Sequence, residues 1–542
     1  MLIILFLLFF FWRIKISPPK ISSSLNPQSF TRKQIGPDSY TVNNCWPKKN
    51  EFGIWEMYIE GEEYERGLIY GVLAKEIIER QEEAFVKQVD EIVPNKVYRT
   101  ALKGLIAWFN KDICKYIPEE NQKEIYGISL SFSDKFDFVG PKYQRSLNYH
   151  AAHDIGHALN DYSMVGCTSF AVTKENSADG TLLLGRNFDF YMGDEFAKEK
   201  VLVFVNPKTG YKFSSYSWAG FTGVVSGMNE KGLTVTINAS KSDIPFASKA
   251  PISLLAREIL QYAKNIEEAI KIANKGKTFV SESLLIGSAE DDQAVIIEKS
   301  PKKTDVYRVT DNKLVCSNHF QSKLFENDTI NLKNIETTDS KYRFNRVTEL
   351  LNEKIPLNPE KAAEILRNKE GCSGKNIGLG NQKSLNQLIA HHSILFKPKN
   401  LQMWISTSPY QLGTYVCYDL NEVFKKEGVY KIDSLNIKED VFSKSQEFTD
   451  YEKSKIIKQG LKKFALFNIA YTIDKKSEES FIKANPLCYT TYMDLGDYYK
   501  KKGDYAKAKN YYKQSLDYDV ASLQDIEALN KRIAECTKKT GK

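Results

Sequence analysis

"VGCTSFAVTKENSADGTLLLGRNFDF", residues 165–190, decides how the chain is read. Two β-prone runs, one from Cys167 and one from Thr181 to Phe190, flank Asp179-Gly180, a pair that supplies the positive φ of a tight turn. The stretch reads as a β-hairpin with Cys167 at its head, followed by two hydroxyl residues and preceded by Gly166.

Working outward, the residues before the hairpin change period. From about Glu62 to Tyr162 apolar residues such as Leu73 and Ile77 recur at helical spacing, so this unit is expected to be mostly α. Residues 18–55 mix Pro, Ser, Asn and Lys and read as a linker. After the hairpin come further strand patterns: "KVLVFVN", "KFSSYSWAG" and "GLTVTINAS". Leu255, Ile259, Tyr262, Ile266 and Ile270 then form one apolar stripe at steps of three and four. Strands resume with "SLLIGSA", "AVIIEKS", "DVYRV" and "KLVCSNHF", helices return between Ser340 and Asn368, and "HSILFK" with "LQMWIST" closes the unit. This alternation predicts an α+β body of two sheets stacked face to face with helices outside.

The last hundred or so residues lose the strand pattern. Around "YMDLGDYYKKKGDYAKAKNYYKQSL", Tyr492, Leu495, Gly496, Tyr499, Gly503, Tyr505, Ala508 and Tyr512 resemble the tetratricopeptide repeat, in which large and small residues let two antiparallel helices interlock. Residues 450–484 match that repeat poorly, and about three repeats make a free-standing array, so the tail is expected to pack on the body or on a protein partner. The expected divisions are 1–30 (hydrophobic leader and linker), 31–166 (mostly helical), 167–430 (catalytic body) and 440–542 (helical tail).

Composition excludes several classes. With 76 basic and 68 acidic residues spread over 542, no Lys/Arg block marks a nucleic-acid partner. Leu2 to Trp12 are eleven apolar residues, about 17 Å as a helix against a hydrocarbon core of about 30 Å. That length suits a signal or anchor, so export and a membrane association through the N-terminus are expected. Eight cysteines lack any CxxC pair. His150, His153 and His157 have helix-compatible spacing, but the Glu of HExxH is missing and no fourth ligand is evident; they are read as a polar helix face, and no metal or other cofactor is expected.

Gly166-Cys167 invites a specific chemistry. A thiol can attack the carbonyl before it, and glycine removes the side chain that would block the approach. Acyl transfer from nitrogen to sulfur, then hydrolysis, would cut the chain and leave Cys167 as a new N-terminus. Its α-amine, with a pKa of about 7.7–8.0, can then act as base for its own thiol. A buried structural cysteine at a strand start would read the same over these eight residues; the residues downstream discriminate.

Those residues are Arg186 and Asp189 in "GRNFDF", Asn238 closing "NEKGLTVTINA", Asn318 in "SNHF" and Arg343 in "DSKYRFNR". With "GEEYERGLIYG", "GCTSF" and "IIEKSP", in this order, they resemble the N-terminal-nucleophile (Ntn) hydrolases of the choloylglycine hydrolase and acyl-coenzyme A:6-aminopenicillanic acid acyltransferase group, over about two thirds of the chain. The resemblance implies a four-layer αββα sandwich, Gly166-Cys167 as the autocleavage site, Cys167 as nucleophile and Asp189 as holder of its amino group. It further implies that Arg186 favours the thiolate, that Asn318 donates to an oxyanion, and that Asn238 and Arg343 complete the catalytic set. Ser300 in "EKSP" matches a serine of the acyltransferase branch and is expected at the substrate. Taken singly, Arg186 reads equally as half of a core ion pair, Arg343 as a helix-surface residue and Asn238 as a cap after its strand.

The function implied is an autoprocessed cysteine hydrolase or acyltransferase acting on a linear amide of a small-molecule substrate through a thioester. The alternative is a degenerate Ntn scaffold whose tail docks a protein partner.

Overall fold

The computed structural model describes residues 13–159, 165–243, 247–426 and 431–541. The hydrophobic run expected to be a leader lies, up to Trp12, outside the described residues. Among the described residues no helix is long and apolar enough to cross a membrane.

The hairpin forms as read. β5 (Val165–Val172) and β6 (Leu183–Phe190) pair antiparallel, Cys167 opposite Phe188 and Ser169 opposite Arg186. The connection is longer than a tight turn: Lys174–Asn176 makes a short 3-10 turn, and Gly180 supplies the positive φ of 75°. With β14 (Lys313–Cys316), β15 (His392–Lys397), β16 (Gln402–Ser406) and β17 (Tyr415–Asp419) the hairpin builds a six-stranded sheet in the order β14-β5-β6-β15-β16-β17.

A second sheet has eleven strands. Its centre runs through β7 (Lys200–Pro207), β8 (Phe213–Trp218), β9 (Ser226–Asn229), β10 (Leu233–Ala239), β11 (Glu282–Ser288), β12 (Gln293–Lys299) and β13 (Thr304–Tyr307). The other edge departs from the sequence expectation. Residues read as a linker form β1 (Lys33–Gly36), β2 (Ser39–Thr41), β3 (Trp46–Lys49) and the start of β4 (Trp55–Gly61), and β4 pairs in parallel with β7. β1 and β2 are short and solvated, so they carry no apolar alternation; pairing, not burial, makes them strands.

The faces follow the period of two. In β5, Ala171 packs between the sheets with Leu285, Ile296 and Ile394, whereas Phe170 and Val172 pack outward against Val347 and Leu350. Those last two lie on α9 (Ser340–Lys354), which with α10 (Pro359–Leu366) covers the small sheet. The large sheet is covered by α1 (Glu63–Ile92), α6 (Ile252–Tyr262) and α7 (Ile266–Lys275), whose Leu73, Ile77, Leu255 and Ile259 share a core with Val235 and Ile237. Helix, sheet, sheet, helix: the body is an αββα four-layer sandwich.

The helices before Cys167 are built into it. α3 (Glu119–Ser129) packs on α1, and its Glu124 accepts from Arg66 of α1 (2.5 Å) and Arg257 of α6 (2.6 Å), all three buried. α2 (Lys96–Asn110), α4 (Lys142–His150) and α5 (Ala152–Leu159) complete this segment. In the tail, α12 (Gln446–Phe467) and α13 (Lys475–Ala484) precede α14 (Tyr489–Lys502), α15 (Tyr505–Leu516) and α16 (Leu523–Thr540). Gly496 of α14 lies flat against Tyr512 of α15: a Cβ there would stand 2.5 Å from the ring. The tail packs on the body. Asn485 and Leu379 exchange two hydrogen bonds (2.9 and 2.8 Å), and Asn381 donates to the Asp519 carbonyl (2.8 Å).

Candidate active site

β5 presents its residues alternately to two faces. Cys167 and Ser169 point toward the large sheet, and Thr168 points toward α9. Because Arg186 stands opposite Ser169 in register, its side chain shares the inner face with the thiol. Its Nη2 lies 3.6 Å from Cys167 Sγ and donates also to the Ile237 carbonyl, while Nη1 donates to Ser226 Oγ (2.6 Å) and the Val225 carbonyl (3.1 Å). The guanidinium stacks over Phe188, 4.2 Å from the ring centroid. It is held from two strands of the opposite sheet, which fixes its distance to the sulfur.

At the Cys167 thiol, burial and Arg186 act in opposite directions. Cys167 is fully buried, and burial pushes its thiol above the ordinary value; Arg186 opposes that shift without cancelling it.

Asp189 stands opposite Gly166. Its carboxyl is wholly buried, neither oxygen has a hydrogen-bond partner among the described residues, and burial pushes its pKa up to about 7 against the pull of Arg343 and Arg186. Gly166 itself is needed for close approach: a Cβ would stand 3.0 Å from Gln387 Nε2 and 3.7 Å from Asp189 Cβ.

Asn318 and Arg343 grip the backbone of Cys167. Asn318 Oδ1 accepts from the Cys167 amide N–H (2.9 Å) and from Arg343 Nη2 (2.7 Å), and Asn318 Nδ2 donates to the Ala239 carbonyl (2.8 Å), leaving its second N–H available to a reacting oxygen. Arg343 Nη1 donates to the Cys167 carbonyl (2.8 Å) and Thr168 Oγ1 (2.9 Å), and its Nε to Asp339 (3.0 Å). Arg343 is therefore not a helix-surface residue.

Asn238 and Ser300 are held by neighbouring polar groups. Asn238 accepts from Ser169 Oγ (2.9 Å) and donates to the Cys316 carbonyl (3.1 Å), so it ties β10 to β5 and β14. Ser300 donates to Asp243 (2.7 Å) and accepts from the Lys303 amide (3.1 Å), capping the turn between β12 and β13; its hydroxyl has no contact with Cys167 among the described residues.

Sequence reasoning missed Gln387, Ser226 and His392. His392 Nε2 lies 2.9 Å from Ser226 Oγ and so supports the hydroxyl that holds Arg186. The signal available was that His391-His392 open the strand pairing with β6. Also missed was a cavity lined by Phe85, Phe132, Phe190, Phe196, Trp218 and Phe221, between the N-terminal helices and the large sheet. Phe190 follows Asp189 directly, so this aromatic lining begins one residue from the site.

Residues 174–408 match the family model of acyl-coenzyme A:6-aminopenicillanic acid acyl-transferase. The match covers less than half of the 542-residue chain. The match takes in Arg186, Asp189, Asn238, Asn318 and Arg343 and begins just after Cys167. An uncharacterized Archaeoglobus fulgidus protein is 25% identical over 391 residues, covering 65% of this chain and 63% of its own length. The N-acylethanolamine-hydrolyzing acid amidase of Caenorhabditis elegans is 25% identical over 210 residues, 37% of this chain and 56% of that one. The chain thus spans less than two thirds of the length of these relatives. Among solved structures, a mutant conjugated bile acid hydrolase from Clostridium perfringens is 13% identical, with a TM-score of 0.35 over 49% of this chain and 96% of that one.

Proposed function

We propose that the protein is an autoprocessed cysteine amidase or acyltransferase acting on a linear amide bond through a thioester. The observation that carries this reading is the convergence on one residue: Arg186 is at the Cys167 thiol, Asn318 at its amide, Arg343 at its carbonyl, and the unpartnered Asp189 carboxyl opposite Gly166.

In the maturation step the Cys167 sulfur attacks the Gly166 carbonyl carbon. The C–N bond breaks, the thiol proton ends on the departing nitrogen, and a thioester forms. Water then hydrolyses the thioester, giving a Gly166 carboxylate and a free Cys167 thiol and amine. In turnover the amine takes the thiol proton, sulfur attacks the substrate carbonyl, and the Asn318 amide and neighbouring dipoles stabilise the oxyanion. The leaving amine departs with the proton, and water or a second amine takes the acyl group. The family match and the amidase among the relatives support this chemistry.

The test is intact mass and denaturing electrophoresis of wild type beside Cys167→Ala, then turnover of acyl amides of graded chain length. Two fragments meeting at Gly166/Cys167 in wild type only, with hydrolysis of at least one member of the amide series, are expected. A soluble wild-type chain that stays whole would overturn the mechanism.

A further inference from the structure

Beside the nucleophile lies a group of side chains that the proposed reaction does not use. His153 and Asp154 are consecutive on α5, and Glu282 begins β11. All three are buried: Glu282 and Asp154 are 0% exposed and His153 is 2%. His153 Nδ1 lies 3.1 Å from Asp154 Oδ1 and 3.9 Å from Glu282 Oε1, and one ligand atom of each residue lies within 4.8 Å of the others.

Two carboxyls facing one another inside a protein are costly unless a proton or a cation joins them. Neither oxygen of Glu282 has a hydrogen-bond partner among the described residues, so the group is desolvated and uncompensated. Asp154 is oriented: its Oδ2 accepts from the Ile252 amide at the start of α6 (2.8 Å), which leaves Oδ1 to face the imidazole. The nearby cation, Arg186, is committed to Ser226, two carbonyls and the thiol.

We propose that His153 Nδ1, Asp154 Oδ1 and Glu282 form a binding site for a divalent transition-metal ion of the zinc type. One imidazole and two carboxylates neutralise a dication and suit a borderline metal, with bonds of about 2.0–2.2 Å. A tetrahedral ion of that size needs donors about 3.4 Å apart, and the two measured separations bracket this. The space between the donors admits a bare ion and not an organic cation. The site joins α5, which precedes Gly166, to β11, which follows Cys167, so the ion ties together the two parts that cleavage would separate. Spacing in the sequence hides it, because the third ligand is on a distant strand.

The test uses the full chain, as wild type and as Cys167→Ala, so that metal binding is read whether or not the chain is cut. Chelator-stripped protein is titrated with Zn2+ and the bound metal counted by mass spectrometry after gel filtration. One zinc per chain is expected, with a rise in the thermal midpoint, and His153→Ala and Glu282→Gln should each weaken binding at least tenfold. Loading wild type with Co2+ should give a tetrahedral d–d spectrum without a thiolate charge-transfer band, which reads the ligand set even if a variant fails to fold. Absence of bound zinc in folded wild type would mean that a shared proton joins the carboxyls, and the proposal fails. Zinc retained by both variants, or a thiolate band, would place the metal on a cysteine and overturn it equally.

Discussion

Asp189 makes the intact chain sensitive to pH in a direction that can be worked out. Its carboxyl goes from an ordinary value of 3.8 to about 7 on burial. In that window the unfolded chain ionises while the folded chain holds its proton, so the unfolded state is favoured progressively as pH rises. Stability that is complete below about pH 4 is lost by about pH 7 and is level above it. At 1.36 kcal/mol per unit, a difference of about three units amounts to about 4 kcal/mol. Asn at 189 has no proton to lose. In a Cys167→Ala background, which stays whole, the difference in unfolding free energy between the Asp189 and Asp189→Asn chains should therefore move by about 4 kcal/mol between pH 4 and pH 7, against the aspartate. Subtracting the two chains removes every other titrating group from the comparison. Thermal melts across pH 3.5–8, followed by near-UV circular dichroism, read it as a gap in midpoint that changes by several degrees. If the curves stay parallel across the range, Asp189 is ionised and partnered in the intact chain, and the account of it given above is wrong.

Gly166→Val should slow self-cleavage by tenfold or more while the chain still folds, since its first side-chain atom already meets Gln387 at 3.0 Å; intact mass against time checks this. Glu124→Gln should cost about 3–5 kcal/mol, because it leaves the buried Arg66 and Arg257 with no anionic partner; denaturant midpoints check it. Since its two arginines hold Glu124 down to about 2 from 4.5, the stability it contributes above pH 4.5 should be lost as pH falls toward 2, and in the variant that loss should be absent. Asn485→Ala removes the paired hydrogen bonds to Leu379, and should raise hydrogen exchange in residues 375–390 and lower amidase turnover without preventing self-cleavage.

What was legible in the sequence was what two or three turns of local pattern can carry. The hairpin is legible because both strands are β-prone runs around Asp179-Gly180, buried wherever their side chains are described. Once its register is granted, Arg186 beside Cys167 and Asp189 beside Gly166 follow from counting. The tail's helix pair is legible through Gly496 and Tyr512, which must meet for the helices to close. β1 to β3 were not legible, because strands that are solvated and short are defined by their neighbours, and the neighbour of β4 is β7, far along the chain. The same reason hides Ser226, Gln387 and Glu282. Each reaches the site from a different strand or loop, and nothing in its own flanking residues distinguishes it. Asn238 shows the converse: its motif marks it out, but not that its amide accepts from Ser169 and so joins the two sheets.

In the proposed maturation, the uncut site is unbalanced in a way that cleavage corrects. Before cutting, the Cys167 nitrogen has a single N–H, and Asn318 accepts it. Among the described residues Asp189 then has no donor, and burying an unpartnered carboxyl costs on the order of a few kcal/mol. Hydrolysis turns the amide nitrogen into an amine. The new amine keeps its bond to Asn318 and gains further N–H groups on the side where Asp189 stands opposite Gly166. A donor thus appears where an acceptor was waiting, and protonation of the amine would lower the pKa of Asp189 by charge attraction. Breaking the peptide bond also frees Gly166 from the strand, which opens the path to the sulfur that the intact chain buries. The polar arrangement is therefore matched to the product of the cut rather than to its precursor, which is how a site that must form its own catalyst would be expected to distribute its hydrogen bonds.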